Sequence, residues 1–138
     1  MKVNIGKYPK NGERKSKVVI ESHDIWNLDS TLNLIIAPAI AAFIESNHGG
    51  PNVEIEDVPA ELWPSCDPAW QALSEYDRFW KIDIYFFDRW DYILKEMYFA
   101  FARAEYPNTV GVASKDKYDD RVTNGLRLFA KYYQHLWT

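Results

Sequence analysis

Hydrophobic positions along this chain recur with two periods, one near two residues at the start and one near 3.6 elsewhere. The clearest helical stretch is residues 83–105, DIYFFDRWDYILKEMYFAFARAE. On a helix, Phe86, Phe87, Trp90, Ile93, Leu94, Met97 and Phe101 share one face, a stripe wide enough to form the spine of a domain. The reverse face repeats Tyr85, Tyr92 and Phe99 every seven residues, with Arg89, Glu96 and Arg103 in step beside them. Such a ladder is either a second packing surface or a binding surface. If two copies met through it, Arg89 and Glu96 would pair across a twofold axis and the protein would be a homodimer.

Before this spine, Lys2–Lys7 and Ser16–Ser22 hold β-branched residues and flank Asn11-Gly12, a strong local hairpin signal. The hairpin is expected over 1–22. From 24 to 47 the pattern turns helical and apolar on nearly every side, so a buried helix is expected, interrupted or bent at Pro38. Asp29 lies near its start, either as the cap of a helix beginning at Ser30 or as a network or ligand carboxylate beside Trp26. Glu45-x-x-His48 has the spacing of a bundle di-iron ligand pair but has no second copy. His48-Gly49-Gly50 reads more simply as a helix end. Residues 51–68 form a proline-rich acidic loop without the ligand spacing of an EF-hand.

Asp67-Pro68 opens a short helix over 68–76, and Ser114 or Asp116 caps a last one over 115–136. Gly125, inside that last helix, costs about 1 kcal/mol relative to alanine and implies close approach by a backbone or a ligand. Strands at one end and helices after them indicate an α+β fold: an N-terminal β-hairpin packed on three long helices and one short one, in a single domain over 1–138. Trp90, Phe101, Phe129 and Phe43 are expected in one core.

Composition narrows the function classes. Aromatic residues make up 16% of the chain, six of them Trp, so some rings are expected at binding surfaces. Cys66 is the single cysteine, which excludes an internal disulfide and a cysteine zinc site. No secretory leader or membrane-spanning run is read, and a cytoplasmic protein without membrane attachment is expected. The net charge of −4 is uneven: six cations stand in residues 1–20 against Glu13 alone, and twelve acids lie between residues 45 and 96. The acidic balance and the few cations on the last helix argue against sequence-specific nucleic-acid binding. Phosphate loops, nucleophile elbows and paired metal motifs are missing, and no cofactor is expected.

Several blocks carry a resemblance. Asp24-x-Trp26-Asn27-x-Asp29-x-Thr31-Leu32, His48-Gly49-Gly50-Pro51, Glu56-Asp57-Val58-Pro59, Arg89-Trp90-Asp91-Tyr92-x-Leu94-x-Glu96-Met97 and the run from Asn124 to Trp137 resemble a family of small tailed-bacteriophage proteins. Residues 60–83 and 104–118 match that family poorly. The resemblance brings no activity with it, but implies action in the cytoplasm of the infected bacterium or inside the particle. It singles out Asp29, His48, Asp57, Arg89, Asp91, Glu96, Asn124, Arg127 and Lys131 as polar types that packing would not require, unless the set is a structural network; the candidate ligand- or partner-binding residues are Trp26, Asp29, His48, Arg89, Asp91, Tyr92, Asn124, Arg127 and Lys131. The expected function is that of a non-enzymatic binding protein that sequesters a small nucleotide signal or blocks a host defence protein. The alternatives are a metal-dependent hydrolase using Asp29, His48, Asp57 and Asp91, and a virion or assembly component.

Overall fold

The computed structural model describes residues 1–46, 49–102 and 112–137. β1 (Lys2–Ile5) and β2 (Ser16–Val19) pair antiparallel, with Lys2 opposite Val19 and Ile5 opposite Ser16. The pleat places Val3, Ile5 and Val18 on one face and Lys2, Asn4 and Lys17 on the other. Asn11-Gly12 does turn the chain, with Gly12 at φ +96°, but inside a connection running from Gly6 to Lys15. That connection closes at its base: the Gly6 N–H donates to the Lys15 carbonyl at 2.9 Å, and Arg14 Nε donates to the Gly6 carbonyl at 2.6 Å. The Arg14 guanidinium lies over the Tyr8 ring at 4.4 Å.

A 3₁₀ turn, Ser22–Ile25, precedes α1 (Leu28–Ser46). Helical geometry begins at Leu28, so Asp29 sits in the first turn of α1 and does not cap it from Ser30. Asp24 makes the local closure instead, accepting from the Glu21 N–H at 2.8 Å and from the terminal amine of Met1 at 2.6 Å. α1 runs through Pro38 as one helix but buries only Ala37 and Ile40, whereas a buried helix was expected. An element apolar on every side needs cover on every side, and Leu34 is 78% exposed. By length and composition alone α1 is apolar enough to cross a bilayer, a test that helices covered by protein also pass.

The chain divides into two compact units, residues 1–36 and 37–138. In the second, the expected single helix over 68–76 is two: α2 (Pro68–Gln71), with Asp67 as its cap, and α3 (Glu75–Trp80), capped by Ser74. They are followed by α4 (Phe86–Ala102) and α5 (Val112–Tyr132). Ser114 and Asp116 therefore lie inside α5, and the C-terminal end expected for α4 falls outside the described residues. The predicted stripe of α4 forms the core: Trp90, Ile93, Leu94, Met97 and Phe101 are buried, joined by Leu128 and Tyr132 of α5 and by Val53 and Val58. Full burial of each aliphatic side chain contributes at most about 1.5–3 kcal/mol. Phe101 meets Phe129 edge to face at 4.7 Å, and Trp90 meets Tyr132 at 5.9 Å. Phe87 departs from the stripe and is half exposed, and Phe43 is only partly buried.

Gly125 lets α5 close on α4. A Cβ there would lie 2.3 Å from the Glu96 carbonyl oxygen and 2.7 Å from Ala100 Cβ. The close approach expected at this glycine is thus made by the α4 backbone. With a two-stranded sheet at one end and helices throughout the rest, the fold is α+β.

Candidate functional site

Four of the polar residues singled out in the sequence, Asp57, Asn124, Arg127 and Lys131, do come together, around the Asp57 carboxylate. A 3₁₀ turn, Ile55–Asp57, places Asp57 against the last turns of α5. There it accepts from Arg127 Nη2 at 2.7 Å, Lys131 Nζ at 2.5 Å and the Tyr132 hydroxyl at 2.8 Å. Lys131 also pairs with Glu54, and the Tyr132 oxygen accepts from the Glu54 N–H at 3.1 Å. Asn124 Oδ1 accepts from Arg127 Nε at 3.1 Å and Nη2 at 2.9 Å. Two cations meet two carboxylates here, so the cluster is neutral.

Burial pushes the Asp57 carboxyl up, but the hydrogen bonds from Lys131, Tyr132 and Arg127 outweigh it and hold the group below its ordinary value. The hydrogen bonds to Asp57 and Glu54 raise the Lys131 ammonium far above its usual range. Burial raises the Tyr132 phenol. None of these groups is shifted toward neutrality, where general acid–base chemistry needs a group to be poised. The cluster pins the loop at 54–58 to α5.

This arrangement sets a pH dependence. A carboxylate that binds its proton less readily in the folded state than in the unfolded one leaves the unfolded state with more bound protons in acid, so stability is lost as pH falls. Asp57 and Asp83 both lie below the ordinary carboxyl value of 3.8. Their contribution is complete above that value and is lost as pH drops through the lower folded value. Urea unfolding from about pH 5 to about pH 2 is expected to show falling midpoints, with a shallower decline in Asp57→Asn.

A second cluster holds Arg89. Its Nη1 donates to Asp83 Oδ1 at 2.8 Å and to the Leu62 carbonyl at 2.9 Å, and its Nη2 donates to Asp83 Oδ2 at 2.7 Å. Both side chains are 3% exposed. Burial raises the Asp83 carboxyl, and Arg89 more than compensates. In a third cluster Glu96 receives Arg121 Nη2 at 2.7 Å and Nε at 3.0 Å. The Arg121 guanidinium lies 3.7 Å over Phe99, which also meets Tyr118 at 5.4 Å. Tyr92 is half-buried beside this pair, its phenol raised by burial and then by Glu96.

The reverse face of α4 is therefore packed within the chain at these positions, and the expected Arg89–Glu96 pairing across a twofold axis gives way to Asp83–Arg89 and Glu96–Arg121. Arg103, the third charged rung, lies outside the described residues. Asp91 is exposed on α4, Trp26 is 86% exposed, and Asp29 lies with Trp26 in the N-terminal unit. His48 lies outside the described residues. Among the described residues no three His, Cys, Asp or Glu side chains gather as a metal site, and Asp57 already receives three donors.

No protein-family model, curated protein or solved structure matches this chain.

The most exposed chemistry of the second unit lies where the sequence drew no attention, between residues 76 and 84. Tyr76, Phe79, Trp80, Ile82 and Ile84 all stand in solvent, Trp80 at 70% exposure. Phe79 and Trp80 stack edge to face at 4.9 Å. This ridge is held from both sides. Asp67 Oδ1 accepts the Ala69 and Trp70 N–H groups at 3.0 and 3.2 Å, while its Oδ2 accepts the Ile84 N–H at 3.1 Å.

Arg78 donates to the Trp70 carbonyl at 3.1 Å and to the Gln71 carbonyl at 2.6 Å, fixing α3 on α2. The Asp83–Arg89 pair then anchors the end of the 76–84 segment to α4. A readable signal was present: Tyr76-x-x-Phe79-Trp80 is an aromatic helical face only one turn long.

Proposed function

We propose that this chain is a non-enzymatic binding protein of a tailed phage, acting in the infected bacterium by covering a surface of a host protein. The observation that carries this reading is the aromatic ridge at 76–84. Rigid, exposed Tyr and Trp side chains are the residues most enriched at protein–protein hot spots. Their backbone is fixed before binding, which lowers the ordering cost of association. A host protein fits better than a nucleotide, because the candidate binding cations Arg127 and Lys131 are matched by Asp57 and Glu54, and Arg89 by Asp83. The phage assignment rests on the sequence resemblance alone.

The test is capture from host lysate by immobilised protein, followed by affinity measurement with the captured partner. Trp80→Ala is expected to weaken binding roughly 30-fold or more, the effect of losing an interface anchor worth ~2 kcal/mol, without lowering the melting temperature. A nucleotide panel titrated in parallel should give no heat. Nucleotide binding abolished by Lys131→Ala, or capture indifferent to Trp80→Ala, would refute the ridge.

A further inference from the structure

The segment over 49–63 lies against α4 and α5 without being joined to them by main chain. Among the described residues no main-chain hydrogen bond runs from it to either helix; its own bonds stay inside it, as from Asp57 to Glu54 and from Trp63 to Ala60. Trp63 Nε1 closes the segment on itself, donating to the Ile55 and Val58 carbonyls at 2.9 and 3.3 Å.

Its two ends are held differently. The Leu62 carbonyl accepts from Arg89, which is itself locked to Asp83. Over 49–58 the polar ties are side-chain bonds alone: Asp57 to Arg127, Lys131 and Tyr132, and Glu54 to Lys131 and Tyr132. The apolar ties are Val53 and Val58, both buried, and the contact of Gly50 with Trp90. A Cβ on Gly50 would lie 2.5 Å from Trp90 Cδ1 and Cγ, so the main chain rests on the indole. Cδ1 is bonded to Nε1, and Nε1 is buried with no acceptor among the described residues. Cover alone keeps that N–H from water. Beneath the segment, Ile93, Leu94 and Met97 of α4 and Leu128 of α5 are wholly buried. A region with few buried apolar contacts and no shared main-chain bonds opens before the packed helices under it.

We propose that residues 49–58 form a lid latched by Asp57, which turns about the Leu62–Arg89 contact and uncovers Trp90 and Tyr132 while α4 and α5 stay paired. Opening takes Asp57 and Glu54 away from Arg127 and Lys131, so a neutral surface becomes a cationic one flanked by two rings. Every contact of the lid named here lies within the second compact unit, and the lid is independent of the aromatic ridge.

Hydrogen exchange of the isotope-labelled full chain at neutral pH, followed by NMR, tests it, because a protected N–H exchanges only from a state that bares it. The Glu54 N–H, held by the Tyr132 hydroxyl, and the Trp90 indole N–H report on the lid; the Leu94, Met97 and Leu128 amides report on the helices. The lid reporters should exchange together, roughly tenfold or more faster than the helix reporters. Phe101→Leu, about three turns along α4 from Trp90, removes the same contacts from the closed and the open state. It should speed the helix reporters and leave the lid reporters unchanged. Asp57→Asn should speed the lid reporters roughly tenfold, the effect of losing charge-assisted bonds, and Gly50→Ala should speed them without altering a charge. Lid and helix reporters that exchange at one rate in the wild type overturn the proposal, as does their joint acceleration in Phe101→Leu. Lid reporters that keep the wild-type rate in both Asp57→Asn and Gly50→Ala overturn it equally.

Discussion

Arg89→Ala should destabilise the second unit by about 3–5 kcal/mol, the cost of leaving a buried charge without its partner. Its guanidinium is almost wholly out of water and satisfies three acceptor contacts: both oxygens of Asp83 and the Leu62 carbonyl. Removing it strands the Asp83 carboxylate and that carbonyl together and leaves a void beside α4. Typical domains are stable by about 5–15 kcal/mol, so the variant should lie near the edge of unfolding at 25 °C.

Asp83→Ala should cost a comparable amount, and a double-mutant cycle on urea midpoints should show strong coupling between the two. Replacing both by leucine or methionine is expected to recover part of the loss, since a buried pair exchanged for apolar side chains can be nearly neutral. Recovery should be incomplete, because Asp83 Oδ1 also accepts the Tyr85 N–H at 3.0 Å just before α4. Additive single costs would mean that the pair does not act as a unit.

Gly125→Ala is the second large effect, and its direction is opposite to helix propensity. Alanine in the middle of a helix should gain about 1 kcal/mol over glycine. Here the added Cβ would fall 2.3 Å from a main-chain oxygen of α4, an atom that cannot turn aside as a side chain does. α5 must therefore move away from α4, loosening the contacts of Leu128 and Tyr132. Overpacking of this kind costs about 1–3 kcal/mol, and at this separation the upper end is expected. Gly125→Val should be worse. Thr123→Ala, exposed on the same helix, should be neutral or slightly stabilising and serves as the control. Denaturant midpoints with unchanged slopes would read the difference as stability. A Gly125→Ala protein as stable as wild type would mean that the two helices are not seated as closely as described.

The helices over α4 and α5 were legible in the sequence because a 3.6-residue period is a local property, carried by the order of apolar residues and independent of what they touch. The same holds for the strands of the hairpin, for the cap at Asp67 and for the demand of Gly125 for a close neighbour. What the sequence marked as a candidate site it marked by type: Arg89, Asn124, Arg127 and Lys131 are residues that packing alone would not require. Their partners were not legible. Asp57 and Arg127 are 70 residues apart, and Glu96 finds Arg121, which nothing in the local pattern set apart.

Only the way α5 lies on α4, and the loop at 54–58 on α5, decides which charges are neutralised and which remain free to bind. Exposure was hidden for the same reason: α1 reads as buried because it is apolar, yet burial needs a covering surface. Conversely, the ring run at 76–80, to which the sequence drew no attention, stands in solvent because the segment that carries it is anchored at Asp67 and Asp83. Periodicity belongs to a segment, but neutralisation and exposure belong to the meeting of segments, and that meeting is set by tertiary packing.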